Sequence, residues 1–164
     1  MSITKAVEDR PASMRTVAIV TGASHGIGRA TAIRLAADFA AVALVARDVA
    51  ALATVVAEIR EARADALPVA QDLRTREAAN RVVETVISRF NRVDALINVA
   101  GAVSQADLFG LTDADWDDGL ALKFHGARRL TLQAWGSALP PKADIGTRSR
   151  DVRFVPKADS CTTA

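Results

Sequence analysis

A glycine-rich segment at residues 21–28 has the spacing of a phosphate-binding turn, with the sequence TGASHGIG. It follows the apolar run VAIV directly and precedes a helical pattern. Glycine lets the backbone turn sharply and lets a ligand approach where a Cβ atom would block it. A helix N-terminus offers unpaired N–H groups and the positive end of the helix dipole, which suit a pyrophosphate. The segment therefore predicts a dinucleotide site; the alternative is a tight turn between strand and helix that holds no ligand.

Polar residues also stand near the ends of three later apolar runs. They are Arg47 after the second run, Asp72 after the third and Asn98 near the end of the fourth. In open parallel sheets, ligands bind outside the carboxyl ends of the strands. An acidic residue at the position of Arg47 would accept hydrogen bonds from the ribose hydroxyls of NAD, whereas an arginine suits the 2′-phosphate of NADP. Arg47 therefore favours NADP over NAD, with an exposed loop arginine as the alternative interpretation.

The glycine-rich segment resembles the TGxxxGxG cofactor loop of the short-chain dehydrogenase/reductase family. The sequence NVAG at residues 98–101 is similar to the Asn-Asn-Ala-Gly stretch after the fourth strand in that family, with Val99 in place of the second asparagine. The resemblance covers about residues 15–139. It implies that Asp72 meets the adenine amino group and that Ala100 and Gly101 lie beside the cofactor ribose. The alternatives are a helix-capping role for Asp72 and a simple strand-ending turn at residues 98–101.

The spacing and the resemblance together predict one site for a dinucleotide cofactor and a small carbonyl or alcohol substrate. The predicted cofactor-binding residues are Gly22, Ser24, His25, Gly26, Ile27, Gly28, Arg47, Asp72, Leu73, Asn98, Ala100 and Gly101. No residue is assigned to catalysis or to a metal. The single cysteine, Cys161, excludes a cysteine-rich metal site and an internal disulfide framework.

The chain contains no tyrosine. The resemblance implies a tyrosine as general acid and base, a lysine four residues later that lowers its pKa, and a serine that orients the carbonyl. Lys123 also stands where the family has an asparagine, and its ordinary interpretation is an exposed lysine on a helix. Without a positioned proton donor, hydride transfer to a carbonyl loses a factor of about 10²–10⁴. Two interpretations follow: an NADP-dependent oxidoreductase, or an inactive dinucleotide-binding fragment in which a truncation, frame change or insertion has replaced the catalytic half.

Alternating strand and helix patterns must position these residues. The expected strands are residues 15–20, 41–46, 66–70 and 93–99. The expected helices are residues 26–38, residues 49–63 with a cap at Asp48, and a third helix that follows a cap at Thr75 and has an apolar face of Ala79, Val82, Val83, Val86 and Phe90. Short connections between alternating elements favour right-handed crossovers and a parallel sheet. By analogy, we expect an α/β fold of Rossmann type, with a doubly wound sheet in the order 3-2-1-4 and helices on both faces.

A long helix is expected from Thr112 up to Pro140, because proline cannot continue the hydrogen-bond ladder. Its apolar side would include Trp116, Leu120, Phe124, Ala127, Leu130 or Thr131, and Ala134. The resemblance implies that a fifth strand pairs with the fourth and that the long helix packs with its successor in a dimer interface. Here the fourth strand would become an edge of the sheet and the long helix would keep an uncovered apolar side. We therefore expect self-association through the long helix and an exposed edge of the sheet.

Composition sets the remaining limits. Half of the 164 residues are hydrophobic and the formal net charge is +2, which indicates a globular domain with no nucleic-acid partner. No apolar run is long enough to span a bilayer, so no membrane partner is expected and a cytoplasmic location is the simplest expectation. We divide the chain into a flexible leader at residues 1–13, a cofactor-binding domain at 14–139 and an irregular tail at 140–164.

Two other nucleotide-dependent classes are less compatible with the sequence. A methyltransferase also has a glycine-rich loop after its first strand, but it commonly places an acidic residue where Arg47 stands. A P-loop nucleotidase needs a Gly-Lys-Ser/Thr sequence, which the chain lacks.

Overall fold

The computed structural model describes residues 16–102 and 106–138. The proposed leader at residues 1–13 and tail at residues 140–164 lie outside this part of the chain. In chain order the elements are β1 (Val17–Thr21), α1 (Gly26–Leu35), β2 (Ala41–Ala46), α2 (Val49–Glu61), β3 (Asp65–Ala70), α3 (Ala78–Phe90), β4 (Ala95–Ile97), a 3₁₀ turn (Leu108–Gly110), α4 (Asp113–Leu120), a π-helical turn (Ala121–Gly126) and α5 (Ala127–Ala138).

The four strands form one parallel sheet in the order β3-β2-β1-β4, which confirms the expected topology. Ile19 of β1 lies between Ala43 of β2 and Leu96 of β4. Pro68 lies in β3, an edge strand, where a missing N–H group is tolerated on the side that has no neighbour. Among the described residues β4 pairs only with β1, so its outer edge is open.

Side chains alternate between the two faces of the sheet, and each face has its own core. Ile19, Ala43 and Val45 pack on the side of α3 and α5, with Val82, Val86, Leu130 and Ala134. The neighbouring strand residues Val20, Val42 and Leu44 pack on the side of α1 and α2, with Ala32, Leu52, Val55 and Ile59. Both faces are covered by helices, as expected for apolar strands of a parallel sheet.

Of the two predicted helix caps, Asp48 is confirmed and Thr75 is wrong. The Asp48 carboxylate accepts a hydrogen bond from the backbone N–H of Ala51 at 3.0 Å and caps α2 as predicted. Thr75 does not cap α3, since that helix begins at Ala78, and the Thr75 hydroxyl donates instead to the carbonyl of Asp72 at 3.1 Å. The turn after β3 is therefore closed locally, and the helix starts three residues later.

The long helix begins as predicted, with Thr112 in a capping box with Asp115, but it is not one regular helix. The π-helical turn at residues 121–126 separates α4 from α5. A π turn contains more residues than an α-helical turn, so it changes which residues of the following helix face the core. The buried residues are accordingly Leu122, Gly126, Leu130 and Ala134, while the large residues Trp116, Leu120 and Phe124 are about half exposed. The predicted apolar side is therefore confirmed at Leu130 and Ala134, which are buried, and wrong at Trp116, Leu120 and Phe124.

None of the helices in the described part of the chain is both long and apolar enough to cross a membrane.

Candidate cofactor site

A cleft of about 370 Å³ lies at the carboxyl ends of β1, β2 and β3, beside the loop that follows β4. That volume is in the range of small-molecule sites. All the predicted cofactor residues except Gly26 and Asn98 line it. The full lining is Gly22, Ser24, His25, Ile27, Gly28, Val45, Ala46, Arg47, Gln71, Asp72, Leu73, Val99, Ala100, Gly101, Ala102 and Leu122. Residues separated by up to 100 positions in the chain are thus brought to one edge of the sheet.

The glycine-rich loop is tightly folded at the base of this cleft. Gly22 has φ +67°, and a Cβ atom there would lie 2.9 Å from the Cα of Ala100. A Cβ atom on Gly28 would overlap the backbone carbonyl of Gly22. The loops after β1 and β4 can approach each other only because these positions lack side chains.

Gly26 differs from these two glycines. Its φ is +53°, in the region that favours glycine, yet no atom lies within 4 Å of the position that a Cβ atom would take. Gly26 opens α1, whose first turn contains no acidic residue. Ile27 and Gly28 of this first turn line the cleft, so the unpaired N–H groups at the N-terminus of α1 lie at the cleft, in the arrangement that binds phosphate oxygens. The residues present fit a dinucleotide.

Thr21 joins the glycine-rich loop to the loop after β4. Its buried hydroxyl donates to the carbonyl of Ile97 at 3.4 Å and accepts from the backbone N–H groups of Val99 and Ala100, each at 3.0 Å. A single hydroxyl thus fixes the end of β4 against β1. This role of Thr21 is not visible in the glycine-rich sequence pattern, because its partners are more than 75 residues away.

Charged residues form a chain along one rim of the cleft. Nη1 of Arg47 lies 3.9 Å from Oδ2 of Asp72, and the Arg47 side chain is 64% exposed. Oδ1 of Asp72 accepts a hydrogen bond from the backbone N–H of Arg74 at 3.1 Å and lies 3.5 Å from Nη1 of the same residue. Arg74 in turn is bonded to Asp118 of α4. Asp72 caps a turn rather than a helix, and its carboxylate still faces the cleft.

The pKa values of Arg74 and Asp118, at the far end of this row of charged residues, are set mainly by the hydrogen bonds between them. The hydrogen bond from Arg74 is the main reason that the pKa of Asp118 lies below its ordinary value, and it outweighs the opposing effect of desolvation. The same bond raises the pKa of Arg74. Both groups are therefore fully charged at neutral pH.

Asn98 and Lys123 lie at the opposite end of the site. The Asn98 side chain is exposed and donates to the hydroxyl of Thr131 in α5 at 3.3 Å, so it does not line the cleft. The aliphatic part of Lys123 lies 3.7 Å from where a Cβ atom of Gly101 would be. Lys123 is exposed, as expected for a helical surface lysine, but it passes directly over the loop after β4.

The described residues contain no group of three His, Cys, Asp or Glu side chains that could hold a metal ion. Three further residues support the turn at residues 72–74 and were not predicted from the sequence: Arg74 and Asp118, which are bonded to each other, and Gly126. Gly126 touches the Leu73 carbonyl, and a Cβ atom there would lie 2.7 Å from that oxygen. No local spacing signals these three residues, since each acts across 44 or more positions of the chain.

Comparisons with known proteins place the chain in one family. Residues 16–140 match the family model described as short chain dehydrogenase. The short-chain reductase protein NovJ of Streptomyces niveus is 38% identical over 120 residues, which are 73% of this chain and 46% of that protein.

Solved structures agree with the sequence relatives. L-sorbose reductase from Gluconobacter frateurii, complexed with NADPH and L-sorbose, is 35% identical with a TM-score of 0.70, covering 74% of this chain and 47% of that one. An NAD⁺-bound xylitol dehydrogenase is 30% identical with a TM-score of 0.71, covering 77% of this chain and 49% of that one. The chain thus spans about half the length of each of these proteins.

Proposed function

Because the chain belongs to the short-chain dehydrogenase family, we propose that its residues 14–139 form a cofactor-binding domain that holds NADP(H) in preference to NAD(H). The pyrophosphate would lie at the N-terminus of α1, over Gly26 and beside His25 and Ile27. The adenine would lie against Asp72 and Leu73, at the carboxyl end of β3. The nicotinamide ribose would lie along Ala100 and Gly101. Asn98, which is bonded to Thr131 outside the cleft, would support that loop.

The observation that carries the preference for NADP(H) is the Arg47 guanidinium at the rim of the cleft. It is exposed and lies 3.9 Å from its nearest acidic oxygen, so it can turn toward a 2′-phosphate at little cost. Family membership alone does not decide the cofactor, since one neighbour was solved with NADPH and another with NAD⁺. An arginine forms paired hydrogen bonds with a phosphate, whereas a guanidinium has no acceptor to offer the ribose hydroxyls of NAD.

Equilibrium titration with NADPH and with NADH, followed by ligand fluorescence, tests this proposal. We expect NADPH to bind more tightly, and Arg47→Asp to reverse the preference by removing a phosphate donor and adding an acceptor for the ribose hydroxyls. Arg60→Asp is the matched control, because Arg60 is an exposed arginine of α2 that does not line the cleft. An unchanged ratio in Arg47→Asp would refute the role of Arg47, and no binding of either cofactor would refute the site.

A second proposal concerns turnover. NADPH supplies a hydride when bound, and the reaction of the family also needs a proton donor beside the carbonyl. The 164 residues contain no tyrosine, and the two histidines, His25 and His125, belong to no recognisable dyad. We therefore propose that these residues bind and orient the cofactor without reducing a carbonyl or oxidising an alcohol by themselves. The alternative is an oxidoreductase that acts on a small carbonyl or alcohol.

A panel of small carbonyl compounds added to the NADPH complex distinguishes a cofactor-holding role from an oxidoreductase. Binding with no loss of NADPH absorbance supports a cofactor-holding role, and steady oxidation of NADPH supports the oxidoreductase. The cytoplasmic location stays a prediction that rests on composition alone.

A further inference from the structure

The turn after β3, which carries Asp72 and Leu73, is held from outside the cleft by a two-pronged ion pair. Nε of Arg74 donates to Oδ1 of Asp118 at 2.5 Å, and Nη2 of Arg74 donates to Oδ2 of Asp118 at 2.8 Å. Such parallel bonds between a guanidinium and a carboxylate fix direction as well as distance. The Arg74 side chain is only 18% exposed, so the guanidinium is largely enclosed between the turn and α4.

The same turn is held at two further points by the π-helical turn and α5. Nη1 of Arg129 donates to the backbone carbonyl of Arg74 at 3.3 Å. Gly126 packs directly on the carbonyl of Leu73, which only a residue without a Cβ atom permits. Three consecutive helical segments therefore contact two consecutive residues of the turn.

Arg74 passes this constraint on to the cleft through Asp72. Both its backbone N–H group and its Nη1 atom approach Oδ1 of Asp72, at 3.1 and 3.5 Å. Charges alternate from Arg47 through Asp72 and Arg74 to Asp118, so Asp72 has a cation on each side. With Arg74 taking up part of the Asp72 charge, Arg47 is less firmly held by Asp72 and remains free to meet a ligand.

We propose that Arg74 and Asp118 are positioning residues for the adenine half of the cofactor, which they affect through Asp72 and Leu73 and do not themselves touch. The inference rests on the proposed function, because it assumes that the adenine lies against residues 72–73. The ion pair keeps this wall of the cleft in one arrangement before the ligand arrives. Binding then does not have to order the turn, and the affinity is higher.

The test uses the full chain and three variants of α4. Asp118→Asn removes the charge that Arg74 pairs with, and Asp118→Glu keeps it. Asp117→Asn is the matched control, because Asp117 is an exposed acid on the same helix that makes no ion pair among the described residues. The probes are NADPH, 2′,5′-ADP for the adenine half and reduced nicotinamide mononucleotide for the other half.

We expect Asp118→Asn to bind NADPH and 2′,5′-ADP about fivefold more weakly, the upper end for an ion pair whose carboxylate is exposed. Its affinity for the mononucleotide and its melting temperature should stay near those of Asp117→Asn, and Asp118→Glu should recover most of the loss. Equal affinities of Asp118→Asn and Asp117→Asn for 2′,5′-ADP overturn the inference alone. Equal losses for both cofactor halves also overturn it, since they indicate general destabilisation. If the unaltered chain binds neither NADPH nor NADH, the proposed function fails and the inference fails with it.

Discussion

Gly26 and Gly28 lie two residues apart in the first turn of α1, but a methyl group has a different environment at each. At Gly28 it would overlap the carbonyl of Gly22, which belongs to the backbone and cannot move aside cheaply. At Gly26 it would enter open space, where the only cost is the positive φ. The two glycines therefore serve different ends, one the packing of the loop and the other access for a ligand.

Gly28→Ala should lower the free energy of unfolding by about 3 kcal/mol, since overpacking against backbone is costly. Gly26→Ala should lower it by only about 1 kcal/mol, the strain of an alanine at positive φ. Urea unfolding of both variants gives the comparison. In NADPH titrations Gly26→Ala should still bind more weakly than the unaltered chain, because its methyl group projects where the pyrophosphate is proposed to lie. Equal stability of the two variants would show that the loop relaxes around residue 28.

Residues of the site differ in how far the sequence could predict them. The glycines, Arg47 and Asp72 are visible because their chemistry depends on position relative to a strand end, which a local pattern reveals. Arg74 and Asp118 are 44 residues apart, and nothing in either neighbourhood indicates that they meet. A contact of this kind is decided by how the helices pack on the sheet, and no local pattern in the sequence indicates it.

At the scale of elements, Thr21 determines how β1 and β4 end together. Thr21→Val keeps the shape of the side chain and leaves the N–H groups of Val99 and Ala100 without their acceptor. We expect a loss of about 1–3 kcal/mol in the free energy of unfolding, the cost of unpaired buried polar groups. The loop after β4 should also shift, so NADPH binding should weaken.

Thr21→Ser is the control for this change, since it keeps the hydroxyl and loses one methyl group. It should bind NADPH like the unaltered chain, although its stability falls by about 1 kcal/mol for the lost methyl. If Thr21→Val binds NADPH as tightly as Thr21→Ser, the hydroxyl does not position the loop.

Asp94 ties the start of β1 to the segment that leads into β4. Its Oδ2 atom accepts from the backbone N–H of Val17 and from Nε of Arg92, both at 2.8 Å. Burial raises the pKa of Asp94, but the hydrogen bonds from Arg92 and Val17 outweigh it and the net pKa is lowered. A lowered pKa in the folded state means that ionised Asp94 stabilises the fold above the unfolded pKa of about 3.9, and that this contribution is lost as the pH falls through the folded pKa.

The stability difference between the unaltered chain and Asp94→Asn should therefore be constant from about pH 5 to pH 7 and shrink below about pH 4. Asparagine can still accept from Val17, so the comparison isolates the charge. Urea unfolding across this pH range measures it. A difference that persists unchanged to pH 2 would mean that the carboxylate charge contributes nothing.

The π-helical turn is an element that the 3.6-residue spacing of apolar residues did not predict. Counting by 3.6 residues from Trp116 placed Phe124 and Ala134 on one side of a single helix. The wider turn at residues 121–126 shifts the count, and the buried series becomes Leu122, Gly126, Leu130 and Ala134. In this series Gly126 packs on Leu73. No residue type in the segment ALKFHG signals a π turn, so its position follows from tertiary packing.

At the scale of the whole molecule, the alternation of apolar runs with helical patterns predicted a parallel sheet, and analogy with doubly wound folds supplied the order β3-β2-β1-β4. Right-handed crossovers leave few other arrangements, and the strands are apolar on both faces, so each face needs helices. The chemistry could not be predicted in the same way. It depends on a proton donor, and the family supplies that donor through a tyrosine that this sequence does not contain.

Two surfaces of the molecule remain open in the described part of the chain. The outer edge of β4 has no strand beside it. On α4 and the π-helical turn, Trp116, Leu120 and Phe124 repeat every fourth residue and are each about half exposed. Unpaired strand edges and contiguous apolar surfaces both favour association, because pairing satisfies backbone groups and removes apolar area from water. We infer that the chain self-associates through this helix surface and the sheet edge.

Sedimentation equilibrium over a wide range of protein concentrations tests self-association. The mean mass of the unaltered chain should rise above that of the monomer as concentration increases. The double variant Trp116→Glu/Phe124→Glu should shift the mass toward the monomer, because two charges would have to be buried in the contact. Gln133→Glu is the matched control, since it adds a charge at an exposed position of α5 without removing apolar surface. A monomer mass for the unaltered chain at every concentration would contradict self-association. If Gln133→Glu dissociates as much as the double variant, the apolar helix surface is not the contact. If the double variant still associates, the open edge of β4 alone forms the contact.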